Sequence, residues 1–115
     1  MKETKLGDFE ETILLIIGIL GDDLAYALKI ADEFKSQTNR AVSIGAVHST
    51  LTRLQEKGFL KSQMGESSAE RGGRRKRIYF ITAEGERVLR ESREFKMSLW
   101  NQYPKISLDN LNFNF

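Results

Sequence analysis

The seven residues Arg71-Gly-Gly-Arg-Arg-Lys-Arg77 carry five cationic side chains and no carboxylate. They lead into the second of two strand-like runs, Gly58-Phe-Leu-Lys-Ser-Gln-Met64 and Lys76-Arg-Ile-Tyr-Phe-Ile-Thr82, which are separated by a turn containing Gly, Ser and Glu. The pattern reads as a long β-hairpin with a basic tip. The charge is local: the chain has 18 Lys and Arg against 16 Asp and Glu, and without those five the balance is 13 against 16. A positive field confined to one projecting loop suits a phosphate-bearing partner, because a solubilising surface intersperses both signs.

A chain of 115 residues makes one domain, or one domain with an appended helix, and buries a modest core. It has no cysteine, hence no disulfide, thiolate nucleophile or zinc–cysteine site. His48 is the single histidine, which excludes a histidine-rich metal site within one chain and removes most candidates for nucleophilic triads. Arg71-Gly-Gly-Arg lacks the Walker pattern, and no motif pairs a nucleophile with a base and an oxyanion donor. Neither an enzyme nor a cofactor or metal site is expected. The longest apolar run, Ile13-Leu-Leu-Ile-Ile-Gly-Ile-Leu20, is far below the ~20 residues that span a bilayer, and the N-terminus does not read as a signal peptide. A cytoplasmic protein without membrane contact is expected.

Phe9, Ile13, Leu14, Ile17 and Leu20 recur at three- and four-residue steps and predict a first helix from Gly7 to Leu20, with Asp8, Glu10 and Glu11 near its N-terminus. The helix is apolar over most of its circumference, so part of it, with Phe9 and Ile13 as candidates, is expected to face a partner chain. Asp22 or Asp23 caps a second helix from about Leu24 to Thr38, with Leu24, Ala27, Leu28, Ala31 and Phe34 as its apolar stripe, closed by Asn39-Arg40. Ser43 caps a third helix from Ile44 to Lys57, which Gly58 terminates.

The third helix divides into two faces. Ile44, Val47, Leu51 and Leu54 form a stripe to be buried, while Ala46, Ser49, Thr50 and Arg53 form a small polar face. Short side chains let a helix approach its target closely, hydroxyls serve phosphates or base edges, and Arg53 can pair with guanine or phosphate. Three helices followed by a basic hairpin is the order in which the third helix enters the major groove of double-stranded DNA and the hairpin, the wing, touches the flanking backbone.

Thr82 caps a fourth helix that starts with Ala83-Glu-Gly-Glu and runs through Val88, Leu89, Phe95, Leu99 and Trp100 to about Tyr103, just before Pro104. Its charges leave a narrow apolar seam, the width of a helix that pairs with one other helix, and it reads as a dimerisation element. Residues 105–115 have no helical period, so a frayed terminus is the default, and their apolar side chains make docking on the partner subunit the alternative.

These residues resemble the PadR-type winged-helix transcriptional regulators. The match runs from Leu6-Gly-Asp-Phe-Glu-Glu11 through Tyr26-Ala-Leu-Lys-Ile30, Ser43-Ile-Gly-Ala46 and Thr50-Leu-Thr-Arg-Leu-Gln-Glu-Lys-Gly58 to Glu70-Arg-Gly-Gly-Arg-Arg-Lys-Arg-Ile-Tyr79 and Thr82-Ala-Glu-Gly85. The fold class is mainly α (α+β), with a winged helix-turn-helix over residues 6–82, a dimerisation helix over 83–103 and a tail over 104–115. The resemblance implies a homodimer that binds a pseudo-palindromic operator and usually represses transcription. Carried over residue by residue, it places Ser43, Gly45, Ala46, Ser49, Thr50 and Arg53 of the third helix, and Arg74, Arg75, Lys76 and Arg77 of the wing, against DNA. Where the family commonly has tyrosine and then proline before the threonine, this chain has His48 and Ser49, so an operator sequence cannot be borrowed from relatives. The segment after the wing is short for a dedicated ligand domain. An effector would sit at the dimer interface, where Phe95, Leu99 and Trp100 could stack a small aromatic molecule. The alternative from another functional class is a protein-binding adaptor that uses the same third-helix face.

Overall fold

In the computed structural model, which describes residues 6–65 and 75–104, the apolar run of the first helix becomes α1, Asp8–Leu20. Ile13, Leu14, Ile16 and Ile17 are all nearly inaccessible, so one side of α1 is the centre of the core. Leu15 and Ile19, four residues apart, stay 49% and 61% exposed on another side. This corrects the expectation for Ile13: at 0% exposure it packs inside the core of its own chain and has no surface to offer a partner. Phe9 is half-buried and meets Phe34 edge to face, with ring centroids 5.4 Å apart.

The second helix, α2, spans Ala27–Thr38 and starts three residues later than expected. Asp23 adopts the left-handed conformation (φ 69°) within a turn over residues 22–24, so neither Asp22 nor Asp23 caps the helix. Tyr26 takes the N-cap position, without a side-chain hydrogen bond to the helix amides. Leu24 and Leu28 are consequently exposed, and Ile30 and Phe34, supported by Ala27 and Ala31, form the buried stripe. Asn39 closes α2 in the left-handed conformation and donates its N–H to the Lys35 carbonyl.

The third helix, α3, spans Ile44–Glu56 and buries Val47, Thr50, Leu51 and Leu54. Ile44 is 40% exposed and does not join that stripe. At the C-terminus Gly58 has φ 85°, its N–H donates to Gln55 O, and the Phe59 N–H donates to Leu54 O, which satisfies the last carbonyls and turns the chain sharply. Phe59 is thereby driven into the core with 0% exposure.

Strands β1, Leu60–Met64, and β2, Arg77–Ile81, pair antiparallel with Leu60 opposite Ile81, Ser62 opposite Tyr79 and Met64 opposite Arg77. A lone two-stranded ribbon is marginal in water, and this one is braced along β2. Leu60, Ile78 and Tyr79 are buried, and the Tyr79 N–H donates to the Ala25 carbonyl at 2.9 Å, which docks β2 on the segment between α1 and α2.

The last helix, α4, spans Ala83–Gln102. Thr82 Oγ1 accepts the Gly85 N–H at 3.0 Å and donates to Gly58 O at 2.7 Å, so the cap also ties α4 to the end of α3. A Cβ on Gly85 would stand 2.3 Å from Phe59 O, closer than any real contact, so only glycine lets the first turn of α4 lie on that backbone. Three helices, a hairpin and a fourth helix in this arrangement form a winged helix. No helix among the described residues is long and apolar enough to cross a membrane.

Candidate nucleic-acid interface

The first two turns of α3 are open. Ser43 Oγ accepts the Ala46 N–H at 3.0 Å and fixes where the helix begins. Ser43, Gly45, His48 and Ser49 are exposed and Ala46 is half-buried. Nothing lies within 4 Å of the position a Cβ would take on Gly45, so backbone there can come close to a groove wall. Small side chains, two hydroxyls and the amide-rich end of a helix can approach polyanionic DNA without prior rearrangement.

In the second half of α3 two of the predicted contacts, Thr50 and Arg53, are engaged within the chain, and this corrects part of the sequence reading. Thr50 is 1% exposed and lies inside the fold, so it is not a surface contact. Its Oγ1 accepts from Arg53 Nη2 at 3.2 Å. Arg53 Nε donates to Glu10 Oε2 at 3.2 Å, and Lys57 Nζ donates to Glu10 Oε1 at 2.9 Å. The same Oε1 accepts the Gly7 N–H at 2.9 Å. Glu10 is therefore buried but fully engaged. Burial alone would raise its carboxyl, yet Lys57, the Gly7 amide and Arg53 together outweigh that cost and hold it below the ordinary carboxylate value. Arg53 keeps half its side chain in solvent, but its guanidinium is oriented by α1 and Thr50. Sequence reasoning treated Glu10 as an N-terminal charge on α1. Its placement three residues after Gly7 is the local signal in the sequence for a carboxylate that reaches back to an orphan amide.

The root of the hairpin faces the open half of α3. Tyr26, Leu28 and His48 on one side, and Arg75, Lys76, Arg77 and Tyr79 on the other, line a groove of about 310 Å³ to which no carboxylate among the described residues contributes. Lys76 Nζ sits 4.8 Å from the Tyr26 ring centroid, Arg75 Nε donates to Gly65 O at 2.9 Å, and Arg77 Nη1 donates to Ser62 Oγ at 3.1 Å. These contacts hold the three cations in place along the groove. Burial pushes the Tyr79 phenol up, against the opposing Arg77 charge, so it is neutral there. Arg74 and the Gly72-Gly73 turn lie outside the described residues, as does the tail after Pro104.

A second groove, of about 470 Å³, runs between α1 and α4 and has Leu15, Leu89, Met97 and Trp100 as its apolar lining with Glu11, Arg93 and Lys96 among its charged residues. Lys96 Nζ donates to Glu11 Oε1 at 2.7 Å across it. Of the residues assigned to an effector pocket, Trp100 lines this groove, whereas Phe95 and Leu99 do not. Phe95, Leu99 and Trp100 are 64%, 50% and 51% exposed. Among the described residues no group of three or more His, Cys, Asp or Glu could hold a metal ion.

Comparison with known proteins gives this geometry a context. The sequence model of the transcriptional regulator PadR-like family matches residues 16–91, from α1 into α4. Among solved structures, a PadR-like transcription factor from Bacteroides fragilis is 26% identical, with 85% of this chain and 88% of that one covered and a TM-score of 0.68. The hsRosR–S4 complex is 23% identical over 84% of this chain and 75% of that one, with a TM-score of 0.65. A PadR family regulator from Eggerthella lenta is 21% identical over 84% and 81% of the two chains, with a TM-score of 0.61. The last two likenesses concern the fold alone. No match was found among curated proteins. The family match extends over more than half of the chain and includes both α3 and the wing strands, and the chain belongs to the PadR-like family of transcriptional regulators.

Proposed function

We propose that the chain binds double-stranded DNA as a homodimer, recognises a pseudo-palindromic operator and represses transcription there. The observation that carries the reading is the shared groove of His48 and the three wing-root cations, because it joins the exposed face of α3 at His48 to a positive surface. Ser43, Gly45, Ala46 and Ser49 meet the groove edges of the DNA, and Arg74, Arg75, Lys76 and Arg77 neutralise flanking phosphates. The exposed apolar residues Leu15 and Ile19 of α1 and Phe95, Leu99 and Trp100 of α4 supply the dimer contact, and the α1–α4 groove offers a small aromatic effector a place within it.

The test is selection of bound sequences from random DNA, followed by affinity measurements at several salt concentrations. Selected sites should contain two inverted half-sites about one helical turn apart or a multiple of it. Arg75→Ala should weaken binding to every sequence alike and make the slope of log K against log salt shallower by about 1. A wild-type slope in Arg75→Ala would remove the wing from the interface, and failure to recover any preferred sequence would remove the operator.

A further inference from the structure

We infer that Glu10 is an internal stand-in for a DNA phosphate, holding Arg53 and Lys57 of the third-helix region away from the nucleic acid so that non-specific affinity is kept low. The inference rests on the DNA-binding reading above. Its basis is geometric. Arg53 in the last turn of α3 and Lys57 at its C-cap follow Ala46 at helical spacing, on the side of α3 that the DNA-binding reading brings to the nucleic acid. Both instead bond to the two oxygens of one carboxylate that belongs to α1, 43 and 47 residues away in sequence. A carboxylate with two donors from Arg and Lys reproduces the way such side chains grip a phosphate oxygen pair. The Gly7 amide and the burial of Glu10 hold this acceptor in position, so the pairing is not the loose kind found between two solvated side chains.

The physical consequence follows from counterion release. Each phosphate neutralised by a protein cation contributes about 0.9 to the slope of log K against log salt, whatever the base sequence. Cations committed to Glu10 release no counterions from DNA. Sequence-independent affinity then comes from the wing, and the ratio of specific to non-specific binding is larger than the total positive charge near α3 would allow. Glu10 is thus a positioning residue that never touches DNA.

Glu11 provides the control, because it is the next residue, carries the same charge and pairs with Lys96 of α4 instead. The experiment compares wild type, Glu10→Gln and Glu11→Gln by fluorescence anisotropy on random-sequence duplex DNA across a salt series, and by elution salt from a heparin column. Glu10→Gln should steepen the DNA slope by about 1 to 2 and elute from heparin at higher salt. Glu11→Gln should leave the slope unchanged and elute earlier than Glu10→Gln. A folded Glu10→Gln with the wild-type slope overturns the inference, and so does an equal steepening in Glu11→Gln, which would be a general effect of net charge. Should Glu10→Gln not fold, Lys57→Gln in the wild-type chain decides the matter: an unchanged slope supports the inference, and a slope shallower by about 1 overturns it. These readouts need no sequence preference, so a chain that binds all DNA alike sinks the operator proposal and leaves this test intact.

Discussion

Helices α3 and α4 start on the same chemistry: a hydroxyl residue at the N-cap whose side chain accepts the amide three residues on, at 3.0 Å in both. They then diverge. The 13 residues of α3 bury Val47, Thr50, Leu51 and Leu54 along the whole helix, whereas the 20 residues of α4 bury only Gly85 and Val88, both near its start. A helix held along its length presents a rigid outer face. One held at a single end leaves most of its apolar surface uncovered, and in α4 Phe95, Met97, Leu99 and Trp100 are all at least half exposed. Local capping signals specify that a helix exists and where it begins, while burial decides what it is for.

The sharpest way to break this comparison is at the attachment of α4. Gly85→Ala places a methyl group against a backbone carbonyl that cannot move without disturbing the end of α3, and should destabilise the protein by about 3 kcal/mol in urea unfolding followed by circular dichroism. A loss under 1 kcal/mol would show that α4 is not pinned there. Next in size is Glu10→Gln, expected to cost about 2 kcal/mol at neutral pH. The native Glu10 carboxyl is held below its ordinary value, so its contribution is complete above the unfolded-state value and is lost as the pH falls through the depressed native one. The gap between wild type and Glu10→Gln should therefore close in acid, and a gap independent of pH would argue against the ion pairs as its source. The two caps come next: Thr82→Ala should cost more than Ser43→Ala, each about 1 kcal/mol, because Thr82 also donates to Gly58 O. The smallest effect is a gain. Gly45→Ala, in a helix with open space around it, should add about 0.5–1 kcal/mol of stability while weakening DNA binding if backbone approach matters there.

The order of elements was legible in the sequence because its signals are local. Ser43, Thr82, Asn39 and Gly58 act within four residues of themselves, and all four hold the positions their chemistry suggested. The late start of α2 was hidden because Asp22 and Asp23 suit a cap and a left-handed turn equally well. Thr50 illustrates a different limit. Its step of three or four from Ala46 and Arg53 puts it among polar neighbours on a helical wheel, but the wheel does not say how far the core reaches around α3. Glu10 was least legible of all, since no periodicity within α1 encodes partners 43 and 47 residues away. Ile13 and Leu15 show the same boundary from the other side: both read as apolar helix positions, and only the packed fold sends one to the core and the other to the surface.

The contact at Gly85 also has a mechanical meaning. Gln102 lies about 26 Å farther along α4 at about 1.5 Å per residue. With its buried residues confined to the first turns and the exposed Lys96–Glu11 ion pair beyond them, the helix is a lever whose pivot is the Phe59 carbonyl at the end of α3. A tilt of about 5° at the pivot carries the far end about 2 Å, a displacement comparable to half the width of a side chain. The absence of a single methyl group at residue 85 thus sets the aim of the entire arm, and small changes beside Phe59 are magnified at Trp100 and Tyr103.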